Sequence, residues 1–153
     1  MQSVDLTDLD QLDNDLKELF DKIPDRRRQL HEKIADVIKS EVDIQISRSG
    51  LNDSSGHVKA WQEQHIGSRG GYAAVRASDT STGNNSPGAI TNYLENGHRI
   101  REPSGKNKHY RPRLKKPYVD GYHFYSAARK SAESQAITAA EEYVKEIADK
   151  LEG

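Results

Sequence analysis

Val58-Lys59-Ala60-Trp61-Gln62-Glu63-Gln64-His65-Ile66-Gly67-Ser68-Arg69-Gly70-Gly71-Tyr72-Ala73-Ala74-Val75-Arg76-Ala77 is the stretch on which the fold class turns. Residues 58–66 alternate, with Val58, Ala60, Gln62, Gln64 and Ile66 on one face and Trp61 on the other. Residues 72–77 form a second short run rich in Ala and Val, and residues 67–71 between them are a glycine-containing turn. Two such runs joined by such a turn predict an antiparallel hairpin. A lone hairpin is marginal in water, so helices from the rest of the chain must cover it.

Those helices are legible as periodicity. Leu6, Leu9, Leu12, Leu16, Leu19, Phe20 and Ile23 recur at steps of three and four, predicting a helix over 6–23. Asp5 or Thr7 suits its N-cap, and Asp5, Asp8 and Asp10 suit the positive end of its dipole. Pro24 is expected to end it or to open the next helix. Leu30, Ile34, Val37, Ile38 and Val42 predict a second helix over 25–47, although Val42, Ile44 and Ile46 also alternate, so its end is compatible with an extended strand. Arg26, Arg27 and Arg28 then fall in a first turn, exposed to solvent or to a partner. Residues 49–56 and 79–88 are loops by composition. Residues 89–96 predict a short helix with Gly97 as its left-handed stop. Ala127, Ala128, Ala132, Ala136, Ala140, Tyr143, Ile147 and Leu151 mark a last helix over 124–151, with small residues first and large ones later. The expected class is α+β, with N-terminal helices and a long C-terminal helix packed on a small antiparallel β-sheet. One domain, 1–153, is expected.

Composition narrows the chemistry. Of the 153 residues, 33% are hydrophobic and 31% charged, an apolar-poor balance for a globular chain. Such a shortage points to segments ordered by partners. With no cysteine there is neither a disulfide nor a thiolate metal site. Residues 1–10 are acidic and lack the apolar centre of a signal peptide. No window has the apolar length of a membrane span, so no membrane partner is expected. The net charge of −1 conceals an asymmetry. Residues 98–116 hold Arg99, Arg101, Lys106, Lys108, Arg111, Arg113, Lys115 and Lys116 against Glu102, a charge of +7, so the remainder carries −8. Pro103, Gly105, Pro112 and Pro117 prevent long regular structure there, making residues 98–117 a long basic loop or arm.

Catalytic and cofactor chemistry finds little support. His31, His57, His65, His98, His109 and His123 include no pair at helical metal-ligand spacing. His57 and His65 lie eight apart on an expected strand, too far to share a metal. The glycine-rich residues 67–71 lack the lysine-serine pair of a phosphate loop and precede a strand, whereas the anion site of such loops is a helix N-terminus. Glu95 and His98 beside the basic segment do not by themselves define a base, an orienter and an oxyanion donor. No catalytic residue, metal or cofactor is expected. Nucleic-acid binding has more behind it, because Tyr110, Tyr118 and Tyr122 interleave the cations. Basic charge binds phosphate through counterion release and aromatic rings stack on bases. Pairing of the same cations with acidic surfaces of neighbouring subunits is equally physical, and a merely solvated loop is the third reading. Glu95 is a candidate partner for an arginine of this segment, Tyr93 and Leu94 for anchoring the short helix, Gly121 for a sharp turn, and Phe124 for plugging the last helix into the core.

Three motifs carry a resemblance. Tyr93-Leu94-Glu95-Asn96-Gly97-His98 is similar to a "Tyr-hydrophobic-Glu-x-Gly" element, with Asn96 at a position where an aromatic is usual. Val119-Asp120-Gly121-Tyr122-His123-Phe124-Tyr125-Ser126-Ala127-Ala128 is similar to the element leading into a final helix, with His123 and Ser126 where prolines are common. Gly70-Gly71-Tyr72-Ala73-Ala74-Val75-Arg76 resembles the strand that comes before them. In this order the motifs resemble the tail-component family of long-tailed phages and prophages, of the HK-ninety-seven gene-product-ten type. The resemblance implies an α+β fold without cofactor or catalytic residues. It implies a structural virion protein of the tail or neck, made in the bacterial host cytoplasm, that completes or terminates the tail or joins head to tail. The expected partners are further copies in a ring, hexameric to match tail symmetry, the tail tube and connector proteins, and packaged DNA. The basic segment is then expected to be mobile in a free subunit and ordered between subunits.

Overall fold

The structure, a computed structural model, describes residues 7–100 and 117–152. Its elements in chain order are α1 (Thr7–Arg48), α2 (His57–Trp61), β1 (Gln62–Ile66), β2 (Ala73–Ala77), α3 (Pro87–Asn96), β3 (His98–Arg99), β4 (Tyr118–Val119) and α4 (Phe124–Glu152). The fold is α+β, with helices and a long C-terminal helix packed on a small antiparallel sheet.

The two expected N-terminal helices are one. α1 runs 42 residues with Pro24 inside it, about 63 Å at 1.5 Å per residue. Proline withholds the N–H that would bond the carbonyl of Phe20, at a cost of roughly 3 kcal/mol in a helix interior. Water can satisfy that carbonyl, because Phe20, Ile23 and Pro24 are all exposed. The Arg26-Arg27-Arg28 cluster therefore lies in mid-helix, where Arg28 Nε bonds Glu32 Oε1 at 2.9 Å.

The 42–46 stretch is helical to its end. Val42 and Ile46 are buried and Ile44 is exposed, a four-residue step that suits a helix face and that alternation alone does not distinguish from a strand. Val42 and Ile46 join Val58, Phe124 and Ala128 in the core cluster. Farther along, Lys33 Nζ lies 3.8 Å from Glu146 Oε2, and Tyr143 Oη bonds Gln29 Oε1 at 3.4 Å. These contacts make α1 and α4 antiparallel. The early alanines of α4 allow the approach, with Ala128 and Ala132 buried.

The first strand is shorter than its alternation suggests. Residues 57–61 are helical, and the strand begins at Gln62. Asp53 decides this. Its two carboxylate oxygens accept the N–H groups of Val58 and Lys59, both at 3.1 Å, so a loop carboxylate satisfies donors that a helix start leaves bare. His57 thus stands on a helix and His65 on a strand, not on one strand. β1 and β2 pair antiparallel from Gln62↔Ala77 to Ile66↔Ala73. The turn between them presses on α1. Gly70 has φ +64°, and a Cβ there would lie 2.8 Å from Arg28 Cα. Gln64 Nε2 also bonds Asp36 Oδ1 of α1 at 2.6 Å.

Candidate functional site: a clasped hairpin at the base of the basic segment

α3 starts at Pro87, two residues before the expected 89 and inside the stretch expected to be loop. Ser86 Oγ accepts the Ala89 N–H at 3.2 Å and Pro87 occupies the first turn. It ends at Gly97, whose φ is +75° and ψ 176°. The positive φ needs glycine, but this ψ sends the chain onward extended and not into the compact left-handed stop. His98–Arg99 leave as β3 and pair with Tyr118–Val119 as β4, and Ile100 N–H donates to the Pro117 carbonyl at 2.9 Å. The basic segment is therefore carried on a short antiparallel stem. Arg99 is exposed on that stem. Arg101, Lys106, Lys108, Arg111, Arg113, Lys115 and Lys116 lie outside the described residues.

Beneath the stem, the end of α3 and the start of α4 are clasped backbone to backbone. Tyr122 N–H donates to the Leu94 carbonyl at 2.7 Å and His123 N–H to the Glu95 carbonyl at 3.2 Å. Both glycines are needed for this approach. A Cβ on Gly97 would sit 2.3 Å from the Val119 carbonyl oxygen, and one on Gly121 would sit 2.2 Å from the Glu95 carbonyl oxygen. Gly121 thus serves close approach, not the sharp turn expected of it. The left-handed residue here is His123, at φ +53°. Tyr118 Oη adds a bond to the Asn96 carbonyl at 2.7 Å.

Glu95 is buried, 7% exposed. Its carboxylate caps α4 and is not paired with a described arginine. Oε2 accepts Tyr125 N–H at 2.8 Å, while Oε1 accepts Ser126 N–H at 3.0 Å and Ser126 Oγ–H at 3.2 Å. A negative charge at a helix N-terminus meets both bare N–H groups and the positive end of the dipole. The cap comes from a residue thirty positions upstream, so no local motif announces it. Phe124 fills the core as expected, 1% exposed. Leu94 packs against the same cluster. Tyr93 does not anchor α3; it is exposed and lies against His98, ring centroids 5.4 Å apart.

A polar chain behind the clasp includes residues that sequence reasoning passed over. Gln62, 2% exposed, donates from Nε2 to the Val58 carbonyl at 2.8 Å and to Thr91 Oγ1 at 3.3 Å. Its Oε1 accepts the Tyr125 hydroxyl. Burial, and then the Glu95 carboxylate, push the Tyr125 hydroxyl up to about 12. It stays a donor at neutral pH. An apolar-face reading of residues 58–66 hides Gln62, because its partners come from α3 and α4. Chemically, these groups hold the structure together: both Glu95 oxygens and the Tyr125 hydroxyl are engaged with their own chain. A cleft of about 310 Å³ opens beside them, with Thr91, Asn92, Arg76 and Asp79 on its wall. Among the described residues, no three His, Asp or Glu side chains converge as a metal site requires, and no helix is long and apolar enough to cross a membrane.

In comparison with known proteins, no family model, no curated protein and no solved structure matches the chain.

Proposed function

We propose that this chain is a structural virion protein of a phage, a prophage or a phage-tail-like particle. It acts at the tail end or the head–tail interface, in tail completion, tail termination or the neck, by forming an oligomeric ring, without catalysing a reaction. The observation that carries this reading is the clasped stem. The Glu95–Gly97 and Gly121–Phe124 elements that motivate the resemblance are joined to each other by backbone bonds. Together they set a +7 segment on a two-strand stem at one end of a body that carries −8. A rigid mount for a strongly charged segment suits contact with other molecules better than it suits chemistry on a small substrate. The ring is expected to be hexameric, with the tail tube and connector as neighbours.

Native mass measurement and negative-stain imaging of the full chain, alone and with tail-tube and connector proteins, test this. Closed rings, or incorporation into particles, are expected. A monomer under every one of these conditions would sink the reading. The second reading is a nucleic-acid-binding module, favoured by the cations of 99–116 interleaved with tyrosine. It requires duplex binding at low salt that falls steeply as salt rises and disappears when Arg111, Arg113, Lys115 and Lys116 are neutralised.

A further inference from the structure

β2 has an open side. Gly67 N–H donates to the Tyr72 carbonyl at 2.9 Å and Ser78 N–H to the Trp61 carbonyl at 2.8 Å. With the register of the hairpin, these bonds make Tyr72, Ala74, Arg76 and Ser78 the residues that exchange hydrogen bonds with the first strand. The N–H and C=O groups of Ala73, Val75 and Ala77 therefore point away from β1. Among the described residues, none of these groups has a hydrogen-bond partner. Native edges are ordinarily blunted by charge, proline or a bulge. The outer edge of β1 carries exposed Glu63 and Gln64, and Gln62 N–H there is already bonded to the Lys59 carbonyl. β2 instead offers Ala73, Ala74, Val75 and Ala77, with Arg76 held by Asp79 at 3.2 Å.

Room for a partner lies along that edge. An apolar groove of about 340 Å³ runs between Val75 and α4, floored by Ile38 and Val42 of α1, with Ala132 and Ala136 on its far wall. The cleft of about 310 Å³ beside α3 continues it, because Val75 and Tyr125 line both. The small alanine side chains of α4 leave the space beside β2 unfilled. α4 bounds that space on the side away from β2, so it takes a single extended segment and not the sheet of a second body.

The occupant follows from the chemistry of the edge. An extended backbone presents donors and acceptors at the same two-residue repeat as Ala73, Val75 and Ala77. The 67–71 turn lies against Arg28, and Trp61 packs with the cluster that contains Ile46, so β2 runs with α1 and against α4. A segment added antiparallel, the commoner pairing, therefore runs with α4. Its residues opposite Ala77, Val75 and Ala73 turn their side chains to the Val75 face, into the groove, and are apolar. Its residue opposite Arg76 comes between that guanidinium and Arg129, and its residue opposite Ala74 comes nearer Glu133. Arg129 and Glu133 line the groove one helical turn apart, both exposed, and neither is in an ion pair with a described residue. Their separation along the helix, about 6 Å, matches the roughly 6.8 Å between alternate residues of a strand. A carboxylate opposite Arg76 and a cation opposite Ala74 complement them.

We propose that the open edge of β2 takes up an extended segment of a partner protein as a third strand, with the pattern apolar–acidic–apolar–basic–apolar from its N- to its C-terminus. Up to about six main-chain hydrogen bonds supply affinity, while the groove and the Arg129–Glu133 pair select the sequence. The site belongs to the free chain and does not depend on ring formation.

Amide NMR of the isotope-labelled full chain, titrated with the end-capped peptide Thr-Val-Asp-Val-Lys-Val-Thr, tests it. Shifts are expected at Ala73, Val75 and Ala77 and along α4 from Ala128 to Ala136, saturating with a Kd below about 1 mM. Methylation of the amide nitrogen of the central valine removes the donor to the Val75 carbonyl and should weaken binding at least about tenfold. Exchanging the Asp and Lys of the peptide places like charges together and should weaken it about threefold or more. Neither change touches the fold of the protein. No shifts at several times that concentration, shifts confined to other surfaces, or equal binding by the methylated or the charge-exchanged peptide would overturn the proposal.

Discussion

Replacing Glu95 tests the clasp most directly. The carboxylate accepts two backbone N–H groups of the first turn of α4, at 2.8 and 3.0 Å, and the Ser126 hydroxyl at 3.2 Å, and it is almost wholly buried. Hydrogen bonds to a charged group contribute about 1.5–3 kcal/mol each, and a buried donor left bare costs about 1–3 kcal/mol. These contributions overlap, and loss of a helix cap alone typically costs about 1 kcal/mol. Glu95→Ala removes the acceptor for both backbone donors and opens a small void, so a loss of about 3–5 kcal/mol is expected. Glu95→Gln keeps one acceptor oxygen but turns an amide NH₂ toward an N–H donor, so about 2 kcal/mol is expected. Ser126→Ala removes only the longest of the three bonds and should cost under about 1 kcal/mol. Urea unfolding followed by far-UV circular dichroism measures all three, and hydrogen exchange locates the change. Protection should fall at Tyr125 and Ser126 and in the stem before it falls in the middle of α1. Glu95→Gln within about 0.5 kcal/mol of the parent, with exchange at the start of α4 unchanged, would refute the capping role.

Three further outcomes follow from the same geometry. Gly121→Ala places a methyl 2.2 Å from the Glu95 carbonyl oxygen. It should force the clasp open and lower stability by about 1–3 kcal/mol, read as a lower urea midpoint with faster exchange at Tyr122 and His123. Asp53→Ala should cost about 1 kcal/mol by uncapping α2; an unchanged thermal midpoint would contradict it. Tyr125 has its hydroxyl raised from 10.0 to about 12, so the folded state holds this proton more tightly than the unfolded state. Its contribution is therefore complete below pH 10 and is lost as pH rises through about 12. Tyr125→Phe should flatten the stability profile over that window, while the parent should show one tyrosine ionising late by absorbance.

Much of the helical frame is legible in sequence because helix and strand periods differ. The apolar steps of three and four over 124–151 predict α4 within a residue or two, and Gly97 marks the end of α3, whereas its start at Pro87 falls in residues whose composition reads as loop. The Gly67–Gly71 turn and the 72–77 run locate the hairpin. Where the pattern fits both periods, the neighbours decide. Val42 and Ile46 satisfy alternation and a helical step alike, and the need to meet Phe124 and Ala128 selects the helix. Residues 58–61 alternate as a strand would, but the Asp53 carboxylate caps them into a helix. Pro24 reads as a boundary, yet α1 continues through it.

The clasp shows the same division. Glu95, Gly97, Gly121 and Phe124 stand out as a motif set, and the basic segment stands out by charge alone. Their roles are tertiary. The acceptor for the start of α4 comes from α3, and Gln62 matters through partners on α3 and α4. Periodicity and turn chemistry act over a few residues, so one chain read in order reveals them. A cap or a glycine contact depends on which distant backbone arrives beside it, and packing alone decides that.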